Sequence, residues 1–501
     1  MGRVATGVQV LLTRSTFAAL AALAVVNSAR ADDVVSAAPA VPPGAVPTDR
    51  PAASAPAPAR TDRPPPGLGA KQRLTDEDYA RKKEGYYFTG LPLVSYDPTL
   101  GFGLGARAYF YYDDYRKDPL FAYTPYQHRV YAQTFFSTGG AQDHVIDYDA
   151  PTFLGSLYRV RATLEYEADT QWPYFGVGSR SMQALSFPGA PGKTYAHLAD
   201  YQNATSAVQP NGQTYSDYNV FSFKRPTMQL AVEQIMLGGI LRSMIGTNID
   251  YVALHDYSGD DVGATGANGH STKATEAPTL LASDCQSGRI IGCNGGFDNV
   301  LRLALSLDTR DFEPDPNSGV YAELSGEFST KALGSQYEYM RLMGSVRAFY
   351  SPIPKLADLV LAARFLYEFQ TQGVPFFSME IMPFIDDNHA GLGGFRTLRG
   401  YDQNRFVGPV LGLTNYEIRW TFVKFHALHQ GFALIACPFL DVGRVFDSVQ
   451  TTTLAGWKHS EGAGLRIAWN EATIIMVDYG FSQESPTPSL AGLYINFNHI
   501  F

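Results

Sequence analysis

The sequence lacks any uninterrupted apolar run of about 20 residues, the length that a helix needs to cross a bilayer. The apolar stretch at residues 17–26 is about ten residues long, which is too short to span. This argues against a helical membrane protein, although 45% of the residues are hydrophobic.

Positive charge is also scarce. The formal net charge is −9, and no cluster of Lys and Arg stands out. Proteins that bind nucleic acid usually carry a basic patch that neutralises phosphates. We therefore expect no nucleic-acid partner.

Motifs for catalysis and cofactor binding are missing. Asp387 with His389, or Asp143 with His144, could be acid–base pairs, but no nucleophile, metal-ligand spacing or phosphate loop accompanies them. The glycines at 101–105 lie between predicted strands and precede no helix, so they form no nucleotide site. We expect no enzymatic activity, no metal and no cofactor.

Cysteine is rare, with three residues in the chain. Cys285 and Cys293 lie close together in a polar, Gly-rich stretch, where an oxidising compartment would let them pair. The alternative is two unpaired loop thiols, and a zinc site is only weakly indicated. Cys437 lies alone within a strand pattern.

The chain begins with features of a secretory signal peptide. Arg3 and Arg14 precede the apolar stretch, and Ala29-Arg30-Ala31 is a small-x-small cleavage pattern. We predict a signal peptide at 1–31 and a disordered Pro/Ala-rich linker at 32–73. A short segment at 74–85 follows and is compatible with a helical turn. That turn would lie in the periplasm or would plug the interior of the domain that follows it.

From residue 86 onward, apolar and polar residues alternate in segments of roughly ten residues broken by Gly, Pro, Asp and Asn. Sixteen strands are predicted, at 86–96, 101–113, 125–137, 142–151, 157–168, 222–236, 239–256, 297–310, 318–330, 336–350, 357–370, 409–424, 430–443, 459–470, 472–482 and 491–501. The fold class is therefore all-β, with residues 86–501 as one domain.

Two features indicate that the alternating apolar face contacts lipid. In the twelfth strand one face carries Tyr416, Ile418, Trp420 and Phe422, and the other carries Asn415, Glu417, Arg419 and Thr421. Inward charges suit a water-filled barrel better than a packed core. The long loops at 169–221, 257–296 and 371–408 also fall at one end, with short links at the other. We predict a 16-stranded antiparallel transmembrane β-barrel, because closure leaves no edge in lipid.

The last predicted strand alternates and ends on an aromatic residue. Its apolar positions are Leu493, Ile495, Phe497 and Phe501, with His499 as the exception. This pattern looks like the signal that the barrel-assembly machinery reads, so we expect that machinery to insert the protein into the bacterial outer membrane, among outer-membrane lipids.

Several short motifs carry a family resemblance. The loop before the twelfth strand reads Gly-Leu-Gly-Gly-Phe-Arg-Thr-Leu-Arg-Gly-Tyr at 391–401. Other motifs occur in order at 101–105, 308–311 with a turn at 316–319, 415–419, 439–446 and 462–466. With them, residues 86–501 resemble the BamA and TamA superfamily of outer-membrane assembly and translocation barrels, the bacterial surface antigen family.

The resemblance implies a role for the loop tip Leu398-Arg399-Gly400-Tyr401. In that family the sixth extracellular loop folds into the lumen, and its arginine engages acidic residues on the following strands. By position, Arg399 should meet Glu417 and Asp441, both on the inward register, through a planar fork that can bind carboxylates bidentately. We expect these pairs to lie in partial water and to add only modest stability. The alternative is a solvated Arg399.

The chain departs from the family pattern ahead of the barrel. Residues 32–85 are too few and too rich in Pro for even one polypeptide-transport-associated domain, so capture of cargo by such domains cannot be assumed. The leading hypothesis is insertion or translocation of protein or lipid at the outer membrane, with an unknown cargo. The alternatives are a passive or solute-selective pore gated by the internal loop, and a surface-exposed interaction protein.

Overall fold

The computed structural model describes residues 68, 73–74, 79, 82–265, 271–311, 315–354, 358–385, 388–389, 391–427, 430–469, 473–486, 492–497 and 499–501. The predicted signal peptide at 1–31 and nearly all of the predicted linker at 32–73 lie outside these residues. So does much of the predicted short segment at 74–85.

Sixteen antiparallel strands close into one barrel, in chain order. We number them β1 (Gly85–Asp97), β2 (Gly101–Asp113), β3 (His128–Ser137), β4 (Gln142–Ala150), β5 (Tyr158–Pro173), β6 (Val220–Met236), β7 (Leu241–Asp256), β8 (Gly296–Asp308), β9 (Gly319–Ser329), β10 (Tyr339–Tyr350), β11 (Asp358–Gln370), β12 (Val410–Ala427), β13 (Gln430–Phe446), β14 (Lys458–Trp469), β15 (Thr473–Ser482) and β16 (Leu493–Phe497). Each corresponds to one predicted strand, so the predicted fold class and strand number are confirmed.

The two faces of the wall follow from side-chain alternation. In β12 the outward residues Tyr416, Ile418 and Trp420 are 48%, 44% and 49% exposed, whereas Glu417 and Arg419 are each 2% exposed. Successive residues of a strand point to opposite faces, so aromatic and β-branched side chains cover the outside while charges point inward.

The connections differ between the two ends of the barrel. The loops β5–β6, β7–β8 and β11–β12 are long and all lie at one end, which we call the long-loop end. The other end, the short-turn end, joins β4 to β5 and β6 to β7 by brief turns. We call residues 371–409, between β11 and β12, the sixth loop.

Small elements lie in the connections at both ends of the barrel. The helices are α1 (Leu198–Thr205), α2 (Leu280–Gln286) and α3 (Phe376–Met379), and 3-10 turns lie at Phe153–Gly155, Gly178–Arg180, Leu237–Gly239, Lys331–Leu333 and Val449–Thr451. Short strands pair at Gln213–Thr214, Ser271–Glu276 and Asp261–Thr265, and at Met382–Pro383 and Asn388–His389. None of the helices in the described part of the chain is long and apolar enough to cross a membrane.

Aromatic side chains pack these loops into a cap at the long-loop end. The cap cluster joins the third loop (residues 174–219, between β5 and β6), the fourth loop (residues 257–295, between β7 and β8) and the sixth loop. It includes Trp172, Tyr174, Phe175, Phe187, Tyr201, Phe221, Phe376 and Phe377. Burial of large aromatic surfaces is the main stabilising contribution here.

The barrel closes between β1 and β16 through a short contact. β1 pairs with β2 over thirteen residue pairs, but its registered contact with β16 is the pair Tyr96–Ile495. β16 itself has five residues, fewer than the predicted strand at 491–501. After it the chain turns into the lumen, where Ile500 and Phe501 are buried beside Phe349 and Val360.

Candidate functional site

The tip of the sixth loop has a defined internal structure. Backbone hydrogen bonds join Leu392 and Phe406 in both directions, at 3.1 and 3.0 Å. The Thr397 hydroxyl donates to the Gly393 carbonyl at 2.7 Å and accepts from the Gly393 amide at 3.0 Å. These bonds hold the segment that carries Arg399 in one conformation.

Arg399 forms the centre of the site. Its Nε donates to Asp441 Oδ2 and its Nη2 to Asp441 Oδ1, both at 2.8 Å. Its Nη1 donates to Glu417 Oε1 at 2.9 Å and to Asp478 Oδ2 at 2.7 Å. The guanidinium carbon lies 3.4 Å from the centroid of the Phe439 ring. The loop tip therefore lies in the lumen against β12, β13 and β15.

Two further arginines complete a charge-balanced network. Arg419 Nε donates to Glu417 Oε2 at 2.9 Å, and Arg466 bridges Asp478 and Glu417. Three guanidinium groups thus face the three carboxylates of Glu417, Asp441 and Asp478. Compensation of this kind is required when charges are buried.

The expectation of partial hydration is wrong. The side chains of Arg399, Glu417, Asp441, Asp478 and Arg466 have 0% exposure. Because water does not screen these pairs, the loss of one partner leaves another charge buried without compensation, which is strongly destabilising.

Gly400 allows the loop to touch the wall beside the closing strand. Its φ is +93°, and a Cβ there would lie 2.9–3.1 Å from backbone atoms of Gly480 and Phe481. The Gly400 amide donates to Tyr494 Oη at 2.9 Å, and its carbonyl accepts from the Ser482 hydroxyl at 2.7 Å. The tip is therefore bonded to both β15 and β16.

The flanking residues Leu398 and Tyr401 are buried in an apolar cluster. Leu398 is 0% and Tyr401 2% exposed, and they share the cluster with Leu366, Leu392 and Phe406. The Tyr401 ring packs edge-on against Phe406, with centroids 5.1 Å apart. All four residues of the predicted tip motif thus contact the barrel interior.

Arg405 of the sixth loop forms hydrogen bonds to two other loops. The sequence did not predict this role. Arg405 is 1% exposed, and its Nε donates to Glu484 Oε2 at 2.8 Å in the loop between β15 and β16. Its guanidinium also donates to the carbonyls of Ser181 and Gln183 in the third loop. No motif marks Arg405, because its partners come from distant parts of the chain.

Two buried acids of the sixth loop have raised pKa values. Burial raises the pKa of Glu380 to about 8, and its carboxylate accepts from Trp172 Nε1 at 2.6 Å. Burial, with nearby Asp97 and Glu484, raises the pKa of Asp402 to about 7. The Thr99 hydroxyl donates to Asp402 at 3.3 Å and links the sixth loop to the turn between β1 and β2.

A polar cavity of about 450 Å³ separates the sixth loop from the wall of β2–β8. Its lining mixes acids such as Asp143 and Asp250 with Arg107 and Arg225. The described residues contain no group of three or more His, Cys, Asp or Glu side chains placed to hold a metal ion.

The remaining predicted residues lie at separate places. Leu493, Ile495 and Phe497 are half-buried in β16, whereas Phe501 has left the wall and is buried in the lumen. Cys285 and Cys293 form a disulfide in the fourth loop, and the carbonyl of Ile291 within that bridge accepts from the Phe376 amide of α3 at 3.0 Å.

Comparisons with known proteins give two family matches. A model described as the Omp85 superfamily domain matches residues 147–497, and a domain of unknown function, DUF5982, matches residues 65–127. No curated protein matches the chain.

Similar solved structures include BamA from Haemophilus ducreyi lacking POTRA domains 1–3, at 12% identity and a TM-score of 0.46, covering 83% of this chain and 69% of that one. CdiB from Escherichia coli has 11% identity and a TM-score of 0.46, with 82% and 62% covered. CdiB from Acinetobacter baumannii has 10% identity and a TM-score of 0.41, with 83% and 59% covered. The chain thus spans less than two thirds of either CdiB.

Proposed function

This chain belongs to the Omp85 superfamily, and from that premise we propose that it mediates insertion or translocation of a macromolecule, protein or lipid, at the bacterial outer membrane. The observation that carries the proposal is the short contact between β1 and β16. Such a seam can open toward the bilayer without breaking a full strand ladder.

Much of β1 has no described residue opposite it across the seam. Counting two residues on from the pair Tyr96–Ile495 places Phe497 opposite Val94. Residues 85–93 of β1 therefore extend past the last residue of β16, and no described residue is registered opposite them on that side. Pro92, within this edge, has no amide hydrogen to donate.

An edge of this kind is costly in lipid. Each backbone polar group that lacks a partner in the hydrocarbon region costs several kcal/mol, and closed barrels normally avoid that cost. A chain that retains such an edge has a built-in place where another polypeptide can add a strand or where lipid order is disturbed. Such an edge favours a role in insertion or translocation over a purely structural one.

The sixth loop provides a rigid support beside this seam. Its tip is bonded to Tyr494 of β16 and Ser482 of β15, while Arg399 is fixed by three carboxylates. We propose that this loop holds the β15–β16 side in place. The partners are outer-membrane lipids, the barrel-assembly machinery for the protein's own insertion, and a cargo whose class the experiment below defines. Nucleic acid and enzymatic chemistry form no part of the proposal.

The experiment is depletion of the protein in its native bacterium, with three readouts. Insertion or translocation predicts an altered outer-membrane content of protein or of lipid before any change in growth. A change in solute permeability alone, with membrane composition intact, would favour the pore and overturn the proposal.

Conductance in planar bilayers separates the pore alternative directly. Because the aromatic cap covers the long-loop end and the sixth loop occupies the lumen, we expect little conductance from the intact protein. Shortening the loop between Gly391 and Tyr401 should raise it. A large, stable conductance from the unaltered protein would favour a pore.

The surface-interaction alternative is tested by deleting much of 257–296. Loss of binding to cells or molecules with an intact barrel would support that alternative, whereas a retained membrane phenotype would speak against it.

A further inference from the structure

One buried arginine contacts both the sixth loop and the segment that follows β16. Arg364 on β11 is 1% exposed. Its Nη2 donates to the Arg396 carbonyl of the sixth loop at 2.5 Å, and its Nη1 donates to the Ile500 carbonyl at 3.3 Å. Its Nε donates to Asn415 Oδ1 on β12 at 2.9 Å, which anchors the guanidinium to the wall.

The chemistry of these contacts indicates a bridging role. All three acceptors are neutral oxygens, so the contacts do not neutralise the charge, and burying a guanidinium under such conditions is costly. Guanidinium is also the one side-chain group with five donors in a fixed plane, which allows it to reach three separate acceptors. An arginine is therefore suited to this position by geometry more than by charge.

The loop and the segment at 499–501 also share an apolar core. Ile500 and Phe501 are buried in the cluster with Phe349 and Val360, and Phe395 of the sixth loop packs against the same cluster. The Arg364 guanidinium carbon lies 5.2 Å from the centroid of the Phe501 ring. Movement of either the sixth loop or the segment at 499–501 would expose apolar surface of the other.

A second chain of contacts runs in parallel. Arg399 of the loop tip binds Glu417, which in turn binds Arg419. Arg419 Nη2 then donates to the main-chain oxygen of Phe501 at 2.9 Å. The segment at 499–501 is thus held by two arginines, and each of them is bonded to the sixth loop or to its anchoring network.

The position of this segment bears on the seam. If the chain continued along the wall after Phe497, residues 499–501 would lie opposite residues 90–92 of β1, on the same antiparallel register. Inside the lumen it contacts Arg364 and Arg419 instead, and these two positions exclude each other.

We propose that Arg364 is a positioning residue that couples the sixth loop to the seam. While it joins Arg396 to Ile500, the segment stays in the lumen, and no described residue pairs with residues 85–93 of β1 on the seam side. Displacement of the loop releases the segment. This inference rests on the proposed function for its biological meaning, but the coupling itself can be measured without any cargo.

The test is hydrogen exchange of the purified full-length chain, comparing peptides that cover 391–401 and 493–501. Two sites that are energetically coupled respond to perturbation of either one. We expect Arg364→Met to speed exchange in both peptides by about tenfold or more, within the range of 5–150-fold typical of such coupling. Arg159→Met is the matched control, because Arg159 is also lumenal but donates to Asp149 on the neighbouring strand.

The reciprocal perturbation is Arg399→Ala, which should speed exchange at 493–501 as well as in the loop. Should Arg364→Met not fold, Arg364→Lys keeps the charge but not the fork, and it should speed both peptides by a smaller factor. A variant that speeds hydrogen exchange in one of the two peptides and leaves the exchange rate of the other unchanged would overturn the proposed coupling. That outcome leaves the insertion function untouched, since depletion and seam locking test it separately.

Discussion

Arg399 and Asp441 form a two-pronged contact, Nε to Oδ2 and Nη2 to Oδ1 at 2.8 Å each, and both side chains are fully buried. Removing the arginine would leave three carboxylates with too few positive partners. We expect Arg399→Ala to lower the free energy of unfolding by about 3–5 kcal/mol and to reduce the yield of folded barrel. Urea titration in detergent, read as loss of the fast-migrating folded band, measures this.

The matched control for Arg399 is an exposed ion pair of the same barrel. Lys424 contacts Asp358 at 2.6 Å, but its side chain is 69% exposed. Lys424→Ala should change the unfolding free energy by at most about 1 kcal/mol. Equal urea resistance of Arg399→Ala and the unaltered protein would contradict the assigned role of the tip.

The close approach of the loop to β15 can be tested at Gly400. Gly400→Ala combines a φ of +93° with a Cβ that would lie 2.9 Å from the carbonyl carbon of Phe481 and 3.0 Å from that of Gly480. Gly212 is the matched control, because its φ is +79° but a Cβ there would meet nothing within 4 Å. Thermal unfolding should show a larger destabilisation for Gly400→Ala than for Gly212→Ala, since only the first adds a steric clash. Similar losses of thermal stability in both variants would mean that Gly400 does not pack tightly against β15.

The contact between Asp402 and Thr99 should depend on pH. The pKa of Asp402 is raised from 3.8 to about 7, chiefly by burial. A raised carboxyl pKa means that the folded state binds the proton more tightly than the unfolded state. The stabilising effect is therefore complete below pH 4 and is lost as the pH rises through about 7.

We expect hydrogen exchange at 401–406 to accelerate between about pH 4 and pH 7 and to level off above pH 7, after correction for the intrinsic rate. Asp402→Asn should remove that acceleration. Asp447→Asn, which alters a different loop contact with the Ser179 amide, should keep it. A pH response that survives in Asp402→Asn would assign the effect to another group.

The disulfide between Cys285 and Cys293 should stabilise the cap. Closing a loop of this length lowers the conformational entropy of the unfolded chain, which stabilises the folded state by roughly 2–3 kcal/mol. Cys285→Ser with Cys293→Ser is therefore expected to increase proteolysis within 257–295. This loop also contacts α3 of the sixth loop, because the Ile291 carbonyl accepts from the Phe376 amide. Cys437→Ser, which leaves the bridge intact, is the control. Unchanged proteolysis of the double variant would show that the cap does not depend on the bridge.

The barrel could be predicted from the sequence because its determinants are local. Alternation in β12 placed Tyr416 and Ile418 outside and Glu417 inside, and the family resemblance paired Arg399 with Glu417 and Asp441. The first prediction rests on alternation along a single strand, and the second is what the resemblance implies for the loop motif.

Other parts of the site depend on relations that spacing does not encode. Asp478 was missed because several acids share the inward register, and strand stagger decides which of them reaches Arg399. Arg405 and Arg364 were missed because their partners come from distant segments. Phe501 was expected on the wall, but Ile500 breaks the alternation, and burial beside Phe349 and Val360 with contacts to Arg364 and Arg419 places both residues in the lumen.

The most direct test of the opening seam is a reversible lock. Tyr96 and Ile495 lie directly opposite each other, so Tyr96→Cys with Ile495→Cys should form a disulfide across β1 and β16. Leu305→Cys with Leu324→Cys is the matched control, since it bridges β8 and β9 within a full ladder. Each variant is tested for rescue of the depleted bacterium, with and without a reductant.

The oxidised seam lock should fail to rescue, reduction should restore rescue, and the control should rescue in both states. Full rescue by the oxidised seam lock, with the cross-link verified, would contradict the central claim that the seam opens.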